Sequence, residues 1–198
     1  MVKWVLIVVG TGLLLFVGYV FTVFFTFSFD DGKHYSIQDL IDNYNARTEQ
    51  VNDLKNFINS NVPVDKSVVI EFDGNKGLSI FHIIGNGTYD SNWDLKIKSS
   101  KVDTLLNKLG WTHQTLKTLK DKLDAANCIS FKNGDPCNIG FQRSGMGEYF
   151  YDIFDKPIPD SLKSHYNDSC TYIIYRDKVV LEYGGGAIGP QCFQGKIY

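Results

Sequence analysis

The sequence is poor in proline, with 5 in 198 residues, and has 2 methionines and 4 histidines. So little proline, with no internal repeat and no low-complexity stretch, excludes a disordered tail and points to an ordered, strand-rich chain. An excess of either charge is also lacking. The 20 basic and 22 acidic residues give no electrostatic footprint for nucleic acid. Cys-x-x-Cys and paired-histidine spacings are absent, so the four cysteines do not read as a zinc site, and no metal or organic cofactor is implied. The carboxylates fall into no recognisable motif. Ser144 has no glycine two residues before it, which a nucleophile elbow requires.

One further absence organises the chain. Between Lys3 and Asp30 there is no charged residue, and this apolar run of roughly 26 residues exceeds the 20 or so that cross a bilayer. A cleaved signal peptide has a shorter apolar region and small residues at its cleavage site. Here the nearest candidate, Thr26-Phe27-Ser28, lies among bulky aromatics, and no cysteine follows closely enough for a lipid anchor. The expectation is a retained transmembrane helix over residues 1–29 that contacts the lipid bilayer through residues 4–29. Trp4 marks one interface, and Phe24, Phe25, Phe27 and Phe29 the other. Lys3 on one side and Asp30 and Asp31 on the other place the C-terminal domain outside the cytoplasm, periplasmic in a Gram-negative cell. Gly10, Gly12 and Gly18 make no Gly-x-x-x-Gly pair for helix dimerisation.

About 169 residues follow, enough for one domain with a full core. Residues 30–66 read as a connector and an amphipathic helix, and residues 67–198 as an α+β domain. Ser36 is a candidate N-cap, and apolar residues from Ile37 to Ile58 recur at helical spacing, predicting one long helix to about residue 60. Pro63 ends that period. Strands follow at residues 67–72, 78–84 and 93–99, then two short helices over residues 102–126, with Gly110 between them. Asn86-Gly87-Thr88 and Asn167-Asp168-Ser169 match the glycosylation acceptor pattern. Further strands are expected at 128–131, 138–142, 148–154, 171–175 and 178–183. The last two are apolar on both faces, which places them at the centre of the sheet. The fold class is therefore α+β, with a mostly antiparallel sheet of about six to eight strands covered by helices on one face.

Cys128, Cys137, Cys170 and Cys192 permit two disulfides outside the cytoplasm. Sequence neighbours suggest Cys128–Cys137 and Cys170–Cys192. If Asn133-Gly134 is a two-residue turn, however, Ser130 faces Cys137 and leaves Cys128 on a diagonal about 7–8 Å away, too far for an unstrained bridge. Buried thiols, or a single bond, are the plain alternative.

Two glycine-rich segments carry the candidate contacts. Arg143, Ser144, Gly145 and Gly147 lie between strands, and Gly184, Gly185 and Gly186 follow the last one. Glycine lets backbone amides approach a ligand, and Arg143 supplies charge, with Tyr149 and Tyr151 as nearby interface aromatics. An ordinary turn or sheet-edge role fits the glycines as well. Three functional readings follow. The first is a non-enzymatic, membrane-anchored interaction domain whose partner is an envelope or cell-surface protein. The second is a hydrolase or transferase using Ser144 or Cys192. The third is a membrane-tethered DNA-binding regulator using the helix pair 102–126, whose shape resembles a helix-turn-helix.

Overall fold

Helix α1 (Ile37–Ala46) starts where the Ser36 hydroxyl accepts from the Asp39 amide and the Asp39 carboxylate accepts from the Ser36 amide at 2.7 Å, a reciprocal cap. The computed structural model describes residues 16–19, 33–85, 87–185 and 189–193. Residues 16–19 are helical and exposed. The remainder of the expected transmembrane segment lies outside the described residues, and among those described no helix is long and apolar enough to cross a membrane.

The single helix expected to about residue 60 is two. Arg47 leaves the helical basin, at φ −132° and ψ 26°, and separates α1 from α2 (Thr48–Asn61). The apolar stripe continues across the break through Leu40, Tyr44, Val51, Leu54 and Ile58, so the period survives where the backbone does not. A second helix pair, α3 (Ser100–Leu109) and α4 (His113–Ala126), turns at Gly110, whose φ of 68° suits a residue without a Cβ.

Eight strands form one sheet in which every pairing is antiparallel: β1 (Ser67–Asp73), β2 (Gly77–Gly85), β3 (Thr88–Lys96), β4 (Ser130–Lys132), β5 (Cys137–Ser144), β6 (Gly147–Ile153), β7 (Tyr172–Arg176) and β8 (Val179–Gly184). Their order is β3-β2-β1-β4-β5-β6-β8-β7. The helix pair carries the chain from edge strand β3 back to β4, which enters the sheet beside β1. The last hairpin therefore lies at an edge, not at the centre. Its doubly apolar pattern has another cause. Val180, Tyr172 and Ile174 are covered on their side by Phe154, Ile158 and Tyr166 of the β6–β7 connection, which also holds the short helix α5 (Asp160–Lys163). The Asp168 carboxylate accepts from the Tyr172 amide at 2.8 Å and Asn167 from the Ile174 amide at 3.4 Å, so the outer edge of β7 is occupied by side chains of its own loop.

Alternate strand residues point to opposite faces. Val68, Ile70, Phe81, Phe131, Ile139, Tyr149, Tyr151 and Leu181 share one core with the buried residues of α1–α4. The other face carries a different set, described below.

The Asn133-Gly134 segment is not a two-residue turn. Lys132 pairs with Asn138 and Ser130 with Gly140, so residues 133–137 form a longer loop than a two-residue turn. This register puts Cys137 past one end of the β4–β5 ladder and Cys128 past the other. Both remain buried thiols, while Cys170 and Cys192 are bonded. Burial raises the Cys128 pKa and pushes that of Cys137 up to about 12. The β4–β5 hairpin that follows the 102–126 helices lies in the middle of the sheet. On α4, Lys117, Lys120 and Lys122 pair with Asp121, Asp124 and Asp53.

Candidate functional site

The two glycine-rich segments meet at one end of the sheet. Ser144 pairs with Gly147 across the β5–β6 turn, and Glu148 pairs with Gly184, so Gly145 and Gly147 lie beside Gly184 and Gly185. A Cβ on Gly185 would stand 3.2 Å from the Phe150 ring at a φ of +80°, a conformation and a contact that both favour glycine. Gly186 lies outside the described residues. Met146, at the tip of the turn, is exposed.

Tyr149 and Tyr151 are correctly placed in sequence and wrongly aimed. Both are fully buried on the helix-covered face. Tyr149 stacks on Tyr183 at 4.1 Å and its hydroxyl accepts from the Tyr35 amide at 3.2 Å. Tyr151 donates to the Leu40 carbonyl at 2.9 Å and accepts from the Asn43 amide at 3.1 Å. They anchor α1 and its connector to the sheet and offer no external surface. The reason is phase: with Glu148, Phe150 and Asp152 on one face, the odd-numbered residues of β6 must point to the other.

Ser144 is 3 % exposed, and its hydroxyl lies 3.1 Å from His34 Nδ1, a histidine 110 residues away that sequence spacing could not attach to it. Cys192 is bonded to Cys170 and so supplies no thiolate nucleophile. The bond holds the C-terminal segment against the sheet, where Phe193 donates its amide to the Cys170 carbonyl at 2.9 Å and its ring sits 5.8 Å from that of Tyr149.

Arg143 is committed to the protein. Its Nη2 lies 2.5 Å from Glu71 Oε2 and its Nε bonds Glu71 Oε1, a bidentate pair. A second carboxylate, Glu148, is 3.9 Å away and accepts from the Ser130 hydroxyl at 2.5 Å. One guanidinium thus faces two buried carboxylates, and Glu71 takes the closer pairing. Burial first, then the Glu71 charge, pushes the Glu148 pKa up to about 8. Glu148 therefore holds its proton near neutrality. This carboxyl occupies the space left by Gly140, where a Cβ would fall 1.8 Å from Glu148 Oε1 and 1.9 Å from Ser130 Oγ.

The register extends the pattern. Glu71, Ser130, Gly140, Phe150, Glu182 and Tyr172 form one continuous cross-strand row on the face away from α1–α4. Diagonal to Glu182 lies buried Asp152, and the Asn138 amide donates to both carboxylates at 2.8 and 3.0 Å. Burial and mutual repulsion push Glu182 up to about 7, and burial also raises Asp152. Two carboxyl groups able to exchange a proton near neutral pH thus lie on one face. Sequence reasoning missed them because they come from separate strands. The only local trace is the alternation Glu148, Phe150, Asp152 along β6.

Comparison with protein-family models, with curated proteins and with solved structures finds no match.

Proposed function

We propose that the chain is a single-pass, membrane-anchored interaction domain displayed outside the cytoplasm, with an envelope or cell-surface protein as its partner. The Cys170–Cys192 bond is the observation that carries this reading, because such bonds persist in oxidising compartments and are rare where thiols are kept reduced. The uncharged run of residues 4–29 supports it from the sequence side. The glycine-loop end suits contact better than catalysis: Arg143 is held by Glu71, and exposed Met146 stands at the tip of the turn. Protease treatment of right-side-out cells or spheroplasts tests it. Digestion of the domain without lysis is expected, and protection until lysis would reverse the topology.

The contact between Ser144 and His34 favours a second reading, a hydrolase with Ser144 as nucleophile. Among the described residues no carboxylate is bonded to His34 to orient it, which leaves this the weaker reading. Loss of activity on Ser144→Ala in a broad esterase screen would raise it above the first. Equal activity of the two proteins would remove it.

A further inference from the structure

At the end of the sheet opposite the glycine loops, a cleft of about 820 Å³ opens between α1–α2 and the ends of β6, β7 and β8. That volume lies within the range of about 300–1,000 Å³ usual for small-molecule sites. We propose that this cleft binds a small hydroxyl-rich anion, a sugar acid or a sugar phosphate, through Arg176 and Lys55. The proposal is independent of the membrane-anchored reading, since no residue of the glycine loops or of the apolar run lines this cleft.

Arg176 is held in place and has no carboxylate partner among the described residues. Its guanidinium lies 5.4 Å from the Tyr44 ring centroid and 5.0 Å from that of Tyr175, and Nη2 donates to Asn45 Oδ1 at 2.6 Å. Tyr175 donates to the same Asn45 oxygen at 2.7 Å. Nη2 also donates to the Tyr175 hydroxyl at 3.4 Å, so of the five N–H donors those of Nη1 and Nε remain for an oxyanion, and a fork already fixed by two rings and an amide loses little freedom when one binds.

Lys55 supplies the second cation. It is 7 % exposed, and its ammonium donates to the Ile153 carbonyl at 2.9 Å and to Asp155 at 2.7 Å. A lysine has three donors, so one is left over. Its counter-ion is the loose member of the pair: the Asp155 side chain is 56 % exposed and a bound oxyanion can take its place. Lys178 adds a third cation, against Asp155 and Asp177, in a chain whose overall charge is −2.

The body of the ligand follows from α2, the helix that carries Lys55. Thr48, Asn52 and Asn56 recur every four residues and form one stripe of α2 along the cleft. The side-chain amides of Asn52 and Asn56 have no hydrogen-bond partner among the described residues, and an amide both donates to and accepts from a hydroxyl. Cations lining the same cleft as a neutral amide stripe fit an oxyanion carried on a polyol. Carboxylate and phosphate share that chemistry.

The test is calorimetric titration of the full chain in detergent with glucuronate, glucose 6-phosphate, glucose and inorganic phosphate. Saturable binding of glucuronate or glucose 6-phosphate is expected, at least about tenfold tighter than glucose or phosphate alone, as a charge-assisted fork on an oriented ligand provides. The anion that binds identifies the oxyanion source. Arg176→Ala, at an exposed position that leaves the core intact, is expected to weaken binding at least about tenfold, with Arg176→Lys intermediate. No binding at millimolar ligand, equal binding of glucose, equal binding of inorganic phosphate, or unchanged affinity in Arg176→Ala would each overturn the proposal.

Discussion

The two faces of the sheet are built from the same strands and solve burial in opposite ways. The helix-covered face fills with aliphatic and aromatic side chains, and its buried tyrosine hydroxyls bond backbone groups of α1 and the connector before it. The other face buries Glu71, Glu148 and Asp152, and it does so with a bidentate arginine, a hydroxyl, an amide and retained protons. Apolar burial is insensitive to pH. Burial of carboxyl groups is not, and that difference can be measured.

The largest effects separate the faces by mechanism. Phe131→Ala on the helix side should destabilise the domain by about 3–5 kcal/mol, through lost transfer energy and a cavity. On the other face, Arg143→Met should cost about 2–3 kcal/mol, because Glu71 is left buried without its partner. The figure falls below that for a fully buried pair because the arginine side chain is 35 % exposed. Denaturant titrations of both variants at pH 5 and pH 8 would sharpen the contrast, since only the second should change its cost with pH.

Removing the Cys170–Cys192 bond by a Cys170→Ser, Cys192→Ser double variant releases a crosslink between residues 22 apart. It should cost about 3 kcal/mol in the chain-entropy account. Gly140→Ala should cost about 1–3 kcal/mol by overpacking the Glu148–Ser130 contact. The same change made in a Glu148→Ala background should cost less, which a double-mutant cycle would read as coupling.

The smallest substitution effect is the most diagnostic. Glu148→Gln mimics the protonated carboxyl and should change stability by less than about 1 kcal/mol at pH 6. The folded pKa values of Glu148, about 8, and of Glu182, about 7, are raised above the unfolded value. Their contribution to stability is therefore complete below the unfolded value of about 4.3 and is lost as pH rises through 7 and 8. Asp90 has the opposite sign: its bonds to Lys108, Asn92 and Lys101 hold its pKa down to about 2, so its contribution is lost as pH falls below about 4. Melting temperature against pH should thus decline from pH 5 to pH 9, and Glu148→Gln should flatten part of that decline.

Much of the fold could be read from sequence periodicity and turn chemistry. The β1–β2 hairpin around Asp73-Gly74, the α3–α4 pair about Gly110 and the terminal β7–β8 hairpin all occur near their expected places. The break at Arg47 could not be read, since neither glycine nor proline marks it and the apolar stripe runs through it. The place of the β7–β8 hairpin at the sheet's edge, with β7 outermost, was obscured because loop residues, not further strands, cover Val180 and Ile174. The candidate contacts divide along the same line. That the two glycine segments meet depends on β6 pairing with β8, and the carboxyl row depends on β4 entering beside β1. Both are long-range pairings with no local mark. Arg143 stood out by its charge, yet the partner that holds it, Glu71, lies 72 residues away.

Display in an oxidising compartment can be read from mass spectrometry of the protein alkylated in intact cells without reductant. A Cys170–Cys192 disulfide is expected, with Cys128 and Cys137 recovered as thiols after denaturation. Four free thiols would contradict it.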